Sequence, residues 1–233
     1  MLDIKSSLAQ LDLIQQDKPY YIKGFLKSPE EIVAWQDIEN CLNNPVQHYF
    51  ELINADNEKI AIPANETAWV SNKLVQDKKF IFDAFNKGMS LIITSYGFYS
   101  NKTQEFLAQF ESMYDVNSAL HIYCGLEGSN SFKIHADYPA NFIVQAFGKT
   151  RWKIFANKIS SMYNITHVPK FVDTSVFEVV MDVELEPGDA LYIPSRTYHA
   201  AYPTEKRISI SVPCWDRDPS VASSDRNVYR INW

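Results

Sequence analysis

The feature that most constrains this chain is a change of period part-way along it. From Ser118 onward, β-branched and aromatic residues recur at every second position in short runs, over residues 119–124, 132–136, 141–147, 150–155, 176–185, 190–193 and 207–214. A period of two places alternate side chains on one face, as a strand with a buried face requires. The runs are bounded by turn residues such as Glu186-Pro187-Gly188-Asp189 and Pro194. Seven short strands in roughly 100 residues predict a β-sandwich or barrel.

The first half reads differently. Ser28-Pro29-Glu30-Glu31 reads as a cap, a first-turn proline and an acidic first turn, predicting a helix that runs on through Ile32, Val33 and Trp35. A second helix is predicted over residues 77–87, stopped by Gly88, and a third over 101–114, where Phe106, Leu107, Phe110 and Met113 recur at helical spacing. The expectation is one domain of 233 residues: a mixed helix and strand region over 1–115, a β core over 116–215 and a polar tail over 216–233 that wraps the core or fringes its entrance. The N-terminal helices are expected to pack on the outside of the barrel or extend its sheets.

Composition excludes several function classes. Lys and Arg total 22 against 28 Asp and Glu, a net charge of −6, so the molecule lacks the long-range positive field of a non-specific nucleic-acid binder. The sequence holds neither a P-loop nor Gly-x-Gly-x-x-Gly, and no apolar run long enough to span a bilayer. Met1-Leu2-Asp3-Ile4-Lys5 is not a secretory leader, which points to the cytoplasm. Cys41, Cys124 and Cys214 are widely spaced and odd in number, so buried free thiols are expected rather than disulfides or structural zinc.

Among the five histidines, His135 is distinguished by Asp137 two residues later, on the same face of a strand. His199 follows 64 residues on, where a sandwich can bring it beside that pair. Two imidazoles and a carboxylate on one face of an octahedral ion leave three positions open, the arrangement of non-haem Fe(II) oxygenases. His-x-Asp alone also occurs as a merely structural pair. His121 alternates with Tyr123 and reads as a wall residue or a buried, hydrogen-bonded histidine, and His48 and His167 read as surface residues.

The surroundings of the pair are more specific. Gly125-Leu126-Glu127-Gly128, His135-Ala136-Asp137, Asn141-Phe142-Ile143-Val144-Gln145 and Gly148-Lys149-Thr150-Arg151-Trp152-Lys153-Ile154-Phe155 come first. Pro187-Gly188-Asp189-Ala190-Leu191-Tyr192-Ile193-Pro194, then His199, then Ile208-Ser209-Ile210-Ser211-Val212-Pro213-Cys214-Trp215 follow in order. This series resembles the JmjC or cupin-like 2-oxoglutarate oxygenases, and most of all the asparaginyl hydroxylase of hypoxia-inducible factor and its bacterial relatives. Upstream, only Lys18-Pro19-Tyr20-Tyr21-Ile22-Lys23-Gly24-Phe25 is similar to the family's opening strand.

The resemblance implies a mainly β fold with flanking helices, a double-stranded β-helix (jelly-roll or cupin barrel) behind a helical N-terminal region. It implies Fe(II) held by His135, Asp137 and His199, with 2-oxoglutarate as cosubstrate and hydroxylation or demethylation of a nearby C–H as the reaction. In many members a basic residue 15 positions after the first metal histidine secures the cosubstrate; here that position is Thr150, and Lys149 and Arg151 beside it alternate to the other face. If Pro213 stands where the asparaginyl hydroxylase has an inward asparagine, then Arg207, Ser209 and Ser211 point inward, and Arg207 offers a guanidinium fork for a carboxylate. Lys133 is a further candidate anchor; Ser209, Tyr123, Thr150 and Asn141 are candidate cosubstrate-binding residues, Tyr123 as a hydroxyl donor, and Asn141 and Gln145 share an inward parity. The expected substrate is a small molecule or a peptide side chain, with no membrane partner. Thr150 keeps two alternatives open: a cupin-like protein that binds metal or ligand without 2-oxoglutarate turnover, and a metal-dependent cupin enzyme that does not use 2-oxoglutarate.

Overall fold

The structure is a computed structural model and describes residues 17–44, 49–67, 70–98, 100–129, 131–159 and 173–216. The predicted tail beyond residue 216, His48 and His167 lie outside the described residues. In chain order the elements are β1 (Tyr20–Ile22), α1 (Trp35–Asn43), β2 (Tyr49–Ile53), β3 (Lys59–Ile60), β4 (Ala64–Thr67), β5 (Val70–Gln76), α2 (Lys78–Asn86), β6 (Ser90–Thr94) and α3 (Asn101–Tyr114). There follow β7 (Val116–Ser118), β8 (His121–Gly125), β9 (His135–Ala136), β10 (Ala140–Phe147), β11 (Thr150–Lys158), β12 (Val179–Leu185), β13 (Ala190–Ile193), β14 (Thr197–Pro203) and β15 (Arg207–Asp216).

The strands form a larger sheet in the order β1-β13-β10-β15-β8-β6-β2-β3, with β7 also paired to β15, and a smaller one in the order β12-β11-β14-β9. From β8 the chain shuttles between them: β8, β10, β13 and β15 belong to the larger sheet, while β9, β11, β12 and β14 belong to the smaller. That alternation, with antiparallel pairing at each step, makes a double-stranded β-helix. The N-terminal region does both things expected of it, since β6, β2 and β3 extend the larger sheet while the helices cover its outer face.

Strand β10 shows why. Its Asn141, Ile143 and Gln145 face the space between the sheets, and Phe142, Val144 and Ala146 face the helices. Phe142 packs against Phe110 of α3 and against Phe25, with ring centroids 5.2 and 4.9 Å apart. A strand covered on both faces loses the polar half of its alternation, and β10 is buried along all but its last residue. The second core, between the sheets, is built from Ile143, Trp152, Ile154, Leu185, Leu191, Ile193 and Ala201.

Local signals account for most boundaries. Asp77 caps α2, its carboxylate accepting from the Phe80 amide at 3.0 Å, and α3 spans the predicted residues. The first helix departs from expectation. Pro29–Glu31 forms only a 3-10 turn, and the Ser28 side chain caps nothing. Helix α1 begins at Trp35 instead, where Asp37 reaches back to accept from the Ala34 amide at 2.8 Å.

Two tight turns hold the sheets in register. Gly148 joins β10 to β11 at φ +63°, where a Cβ would lie 1.9 Å from the carbonyl oxygen of Lys206. The Glu186–Asp189 turn is braced by the buried Asp189 carboxylate, which accepts from Tyr21 Oη, the Gly24 amide and the Glu186 amide at 2.8, 2.9 and 3.1 Å, fastening the β1 segment to the barrel. All three cysteines are free and buried, as expected.

Candidate functional site

The two candidate metal-binding histidines sit on neighbouring strands of the smaller sheet. His135 opens β9, which is only two residues long, and His199 is the third residue of β14; the two are direct cross-strand partners. Strand β14 was not anticipated from the sequence, because Thr197-Tyr198-His199-Ala200-Ala201-Tyr202-Pro203 lacks a β-branched alternation. Asp137 follows β9, and its backbone oxygen accepts from the Arg196 amide at 2.7 Å, tying the segments that carry the three residues together.

One ligating atom from each of His135, Asp137 and His199 falls within 4.8 Å of the others, close enough for one ion to draw them together. His199 Nε2 lies 3.7 Å from Asp137 Oδ2. Each imidazole is oriented by a main-chain carbonyl two residues earlier: His135 Nδ1 is 2.8 Å from Lys133 O, and His199 Nδ1 is 2.9 Å from Thr197 O. A carbonyl only accepts, so Nδ1 is the donor in both rings, which leaves Nε2 as the nitrogen turned to the cleft for a metal. Burial, and then the neighbouring His199, pushes the pKa of His135 down to about 4, so the ring is neutral at physiological pH. The donor set of two imidazoles and one carboxylate fits a divalent first-row ion with open positions.

The triad opens into a cleft between the sheets of about 400 Å³, open mouth included, whose walls include Tyr123, Phe132, Asn141, Trp152, Arg207 and Ser209. As the strand parity required, Arg207, Ser209 and Ser211 all face it from β15. Arg207 is the one lysine or arginine among the lining residues and is 1% exposed. Its Nε and Nη2 are buried without a hydrogen-bond partner. Burial lowers its pKa to about 10, which leaves it charged at neutral pH.

The other candidates divide clearly. Tyr123, on β8, lines the cleft, and burial raises the pKa of its hydroxyl, which stays protonated as a donor. Ser209 Oγ gives its proton to Gln145 Oε1 at 2.9 Å, while Gln145 Nε2 donates to Phe147 O at 2.8 Å. Asn141 bridges Ser211 and Asp137. Thr150 is fully buried with its hydroxyl unpartnered, but it is not part of the cleft wall. The structure does not support the placement of Lys133. The segment before β9 is not strand, so the alternation that would aim this side chain inward is absent; it is exposed and contributes its carbonyl to His135. His121 lies outside the cleft wall, its Nδ1 accepting from the Ser95 amide at 3.2 Å.

Sequence reading missed Trp152, which lines the cleft 6.0 Å from the His199 ring with its Nε1–H buried and unpartnered. Its parity with Thr150 along β11 was the available signal.

The JmjC domain pattern matches residues 96–222 of the chain. The chain belongs to the JmjC domain family. It is 23% identical over 211 residues to ribosomal oxygenase 1 of Danio rerio, covering 88% of this chain and 36% of that protein. It is 37% identical over 78 residues to the ribosomal protein uL16 3-hydroxylase of Escherichia coli (strain K12), covering 34% of this chain and 20% of that one. Among solved structures, YcfD, a ribosomal oxygenase from Escherichia coli in complex with cobalt and 2-oxoglutarate, superposes with a TM-score of 0.61 at 20% identity. That match covers 87% of this chain and 49% of YcfD and establishes the shared JmjC fold. The chain thus spans between a fifth and a half of the length of these relatives.

Proposed function

We propose that this JmjC chain is an Fe(II)- and 2-oxoglutarate-dependent oxygenase that hydroxylates a peptide side chain. The observation that carries the reading is the Arg207 guanidinium, buried and short of partners, in the same cleft as a three-ligand metal centre. Leaving a charged donor buried and unsatisfied costs several kcal/mol, on the order of 3–5. A carboxylate repays that cost by accepting two parallel N–H bonds from the fork. A ligand with one end on the metal and a carboxylate at the other satisfies both features at once, and 2-oxoglutarate has that form.

When bound, Fe(II) with 2-oxoglutarate supplies the oxidising chemistry that no side chain of the protein has. The protein's share is geometry. His135, Asp137 and His199 would hold the ion, Arg207 would anchor the cosubstrate's far carboxylate, and the Tyr123 hydroxyl would offer a second donor. Trp152, Ile143 and Phe132 wall the cleft with apolar surface that keeps water from the reacting centre. A peptide side chain is favoured over a small molecule because one relative is named a ribosomal protein uL16 3-hydroxylase and another a ribosomal oxygenase.

Anaerobic titration of the Fe(II)-loaded protein with 2-oxoglutarate tests the reading. A saturating visible charge-transfer band is expected, and aerobic incubation with ribosomal-protein peptides is expected to add the mass of one oxygen atom. Iron binding with no band would replace this reading with a metal-binding cupin fold that does not turn over 2-oxoglutarate, for which Thr150, at the position where many members of the family carry a basic residue, would supply the reason.

A further inference from the structure

The wall shared by β10 and β15 carries two hydroxyl–amide pairs, and one of them ends on a metal ligand. Ser211 Oγ donates to Asn141 Oδ1 at 2.9 Å, and Asn141 Nδ2 donates to Asp137 Oδ2 at 3.3 Å. The chemistry of the partners sets the direction of this chain. An ionised carboxylate only accepts, so the amide must present its nitrogen to Asp137 and its oxygen to Ser211. Ser211 and Asn141 are 3% and 7% exposed, so water competes little for either group. The neighbouring pair, Ser209 and Gln145, has the same construction but ends on the backbone at Phe147 O.

We infer that Asn141 is a positioning residue for the metal centre, with Ser211 fixing its amide, so that Asp137 is held with Oδ2 towards His199. Asp137 needs such a hold. It lies just beyond β9, its side chain is about a third exposed, and among the described residues its one ion-pair partner is His199. A carboxylate on a loop samples several rotamers, and each must be given up when it ligates an ion. The amide removes that freedom beforehand. Sequence reading placed Asn141 among the groups that hold the cosubstrate; the geometry gives one of its amide hydrogens to Asp137 instead.

This inference rests on the metal reading above, and the test separates the two. Co(II) serves as the probe, its affinity read from the visible spectrum under anaerobic conditions without cosubstrate, with circular dichroism to verify folding. Asn141→Ala is expected to weaken Co(II) binding about 10-fold or more, the usual effect of losing a partner that orients a ligand. Ser211→Ala is expected to weaken it by a smaller factor, and to have no further effect once Asn141 is alanine, because its contribution passes through the amide. Wild-type affinity in a folded Asn141→Ala protein would overturn the inference, as would an undiminished Ser211→Ala effect in the double variant. If Asn141→Ala does not fold, unchanged Co(II) affinity in Ser211→Ala alone overturns it. A wild-type protein that binds no Co(II) would overturn the metal reading itself, and this inference with it.

Discussion

His135 and His199 stand opposite one another across the β9–β14 pair, their ring centroids 4.4 Å apart. A cross-strand pair is among the most reproducible distances in a protein, because the ladder fixes it. Both rings owe their position to this one strand pair, and Asp137 completes the set from the adjoining loop. Asp137→Asn and His135→Ala are therefore expected to lower Co(II) affinity by more than about 100-fold, beyond the usual effect of losing an outer partner. Because both residues are only partly buried, the far-ultraviolet circular dichroism is expected to stay that of the wild type.

Arg207 makes a prediction of opposite sign for two states of the same protein. Without a ligand, a buried guanidinium with open donors destabilises the fold, so replacing it by an apolar side chain of similar length removes a cost. Arg207→Met is expected to raise the thermal midpoint of the ligand-free protein. The same change is expected to abolish the rise that 2-oxoglutarate produces in the wild type and to raise the cosubstrate concentration needed for half-saturation by at least about 10-fold, with Fe(II) affinity unchanged. Thermal melts with and without 2-oxoglutarate measure both effects.

Gly148 is intolerant for two independent reasons, its left-handed backbone and the Lys206 carbonyl against it. Gly148→Ala is expected to cost about 1–2 kcal/mol from the backbone alone, and more from displacing Lys206 at the start of the strand that carries Arg207. Urea unfolding measures the first effect, and weakened 2-oxoglutarate binding in the folded fraction measures the second.

His121 supplies a pH dependence. Burial lowers its pKa below the ordinary 6.5, with Glu51 and Asp137 opposing more weakly, and its Nδ1 must stay unprotonated to accept from Ser95. Below about pH 6.5 the unfolded chain takes up a proton at this residue that the folded chain resists, so the stabilisation present above that pH is lost as pH falls. His121→Asn keeps an acceptor without the titration. The stability difference between wild type and variant is expected to shift in favour of the variant from pH 7.5 to 5.5, measured by urea unfolding at each pH.

The strands that bury a face showed themselves in the sequence, and those shaped by their neighbours did not. Residues 190–193 form β13 as predicted, and 141–147 differ from β10 by one residue, since Val, Ile and aromatic side chains there must fill space between layers. The run 132–136 shrank to the two residues of β9, because its Phe132 turns into the cleft rather than along a ladder. Strand β14 was invisible because Ala200 and Ala201 pack at close quarters and need no bulk. His135, Asp137 and His199 were legible from residue type and spacing, and Arg207 from parity. Trp152 and the bridge through Asn141 depend on which side chains meet across the two sheets, which a period of two does not specify.

The carbonyls of Lys133 and Thr197 that aim the two imidazoles belong to the main chain, so they are indifferent to which side chains those positions carry. The coordinates of the candidate metal centre are thereby written in backbone, while the exposed side chain of Lys133 takes no part in them. A lineage can rewrite those two side chains without erasing a word of the script that aims the imidazoles.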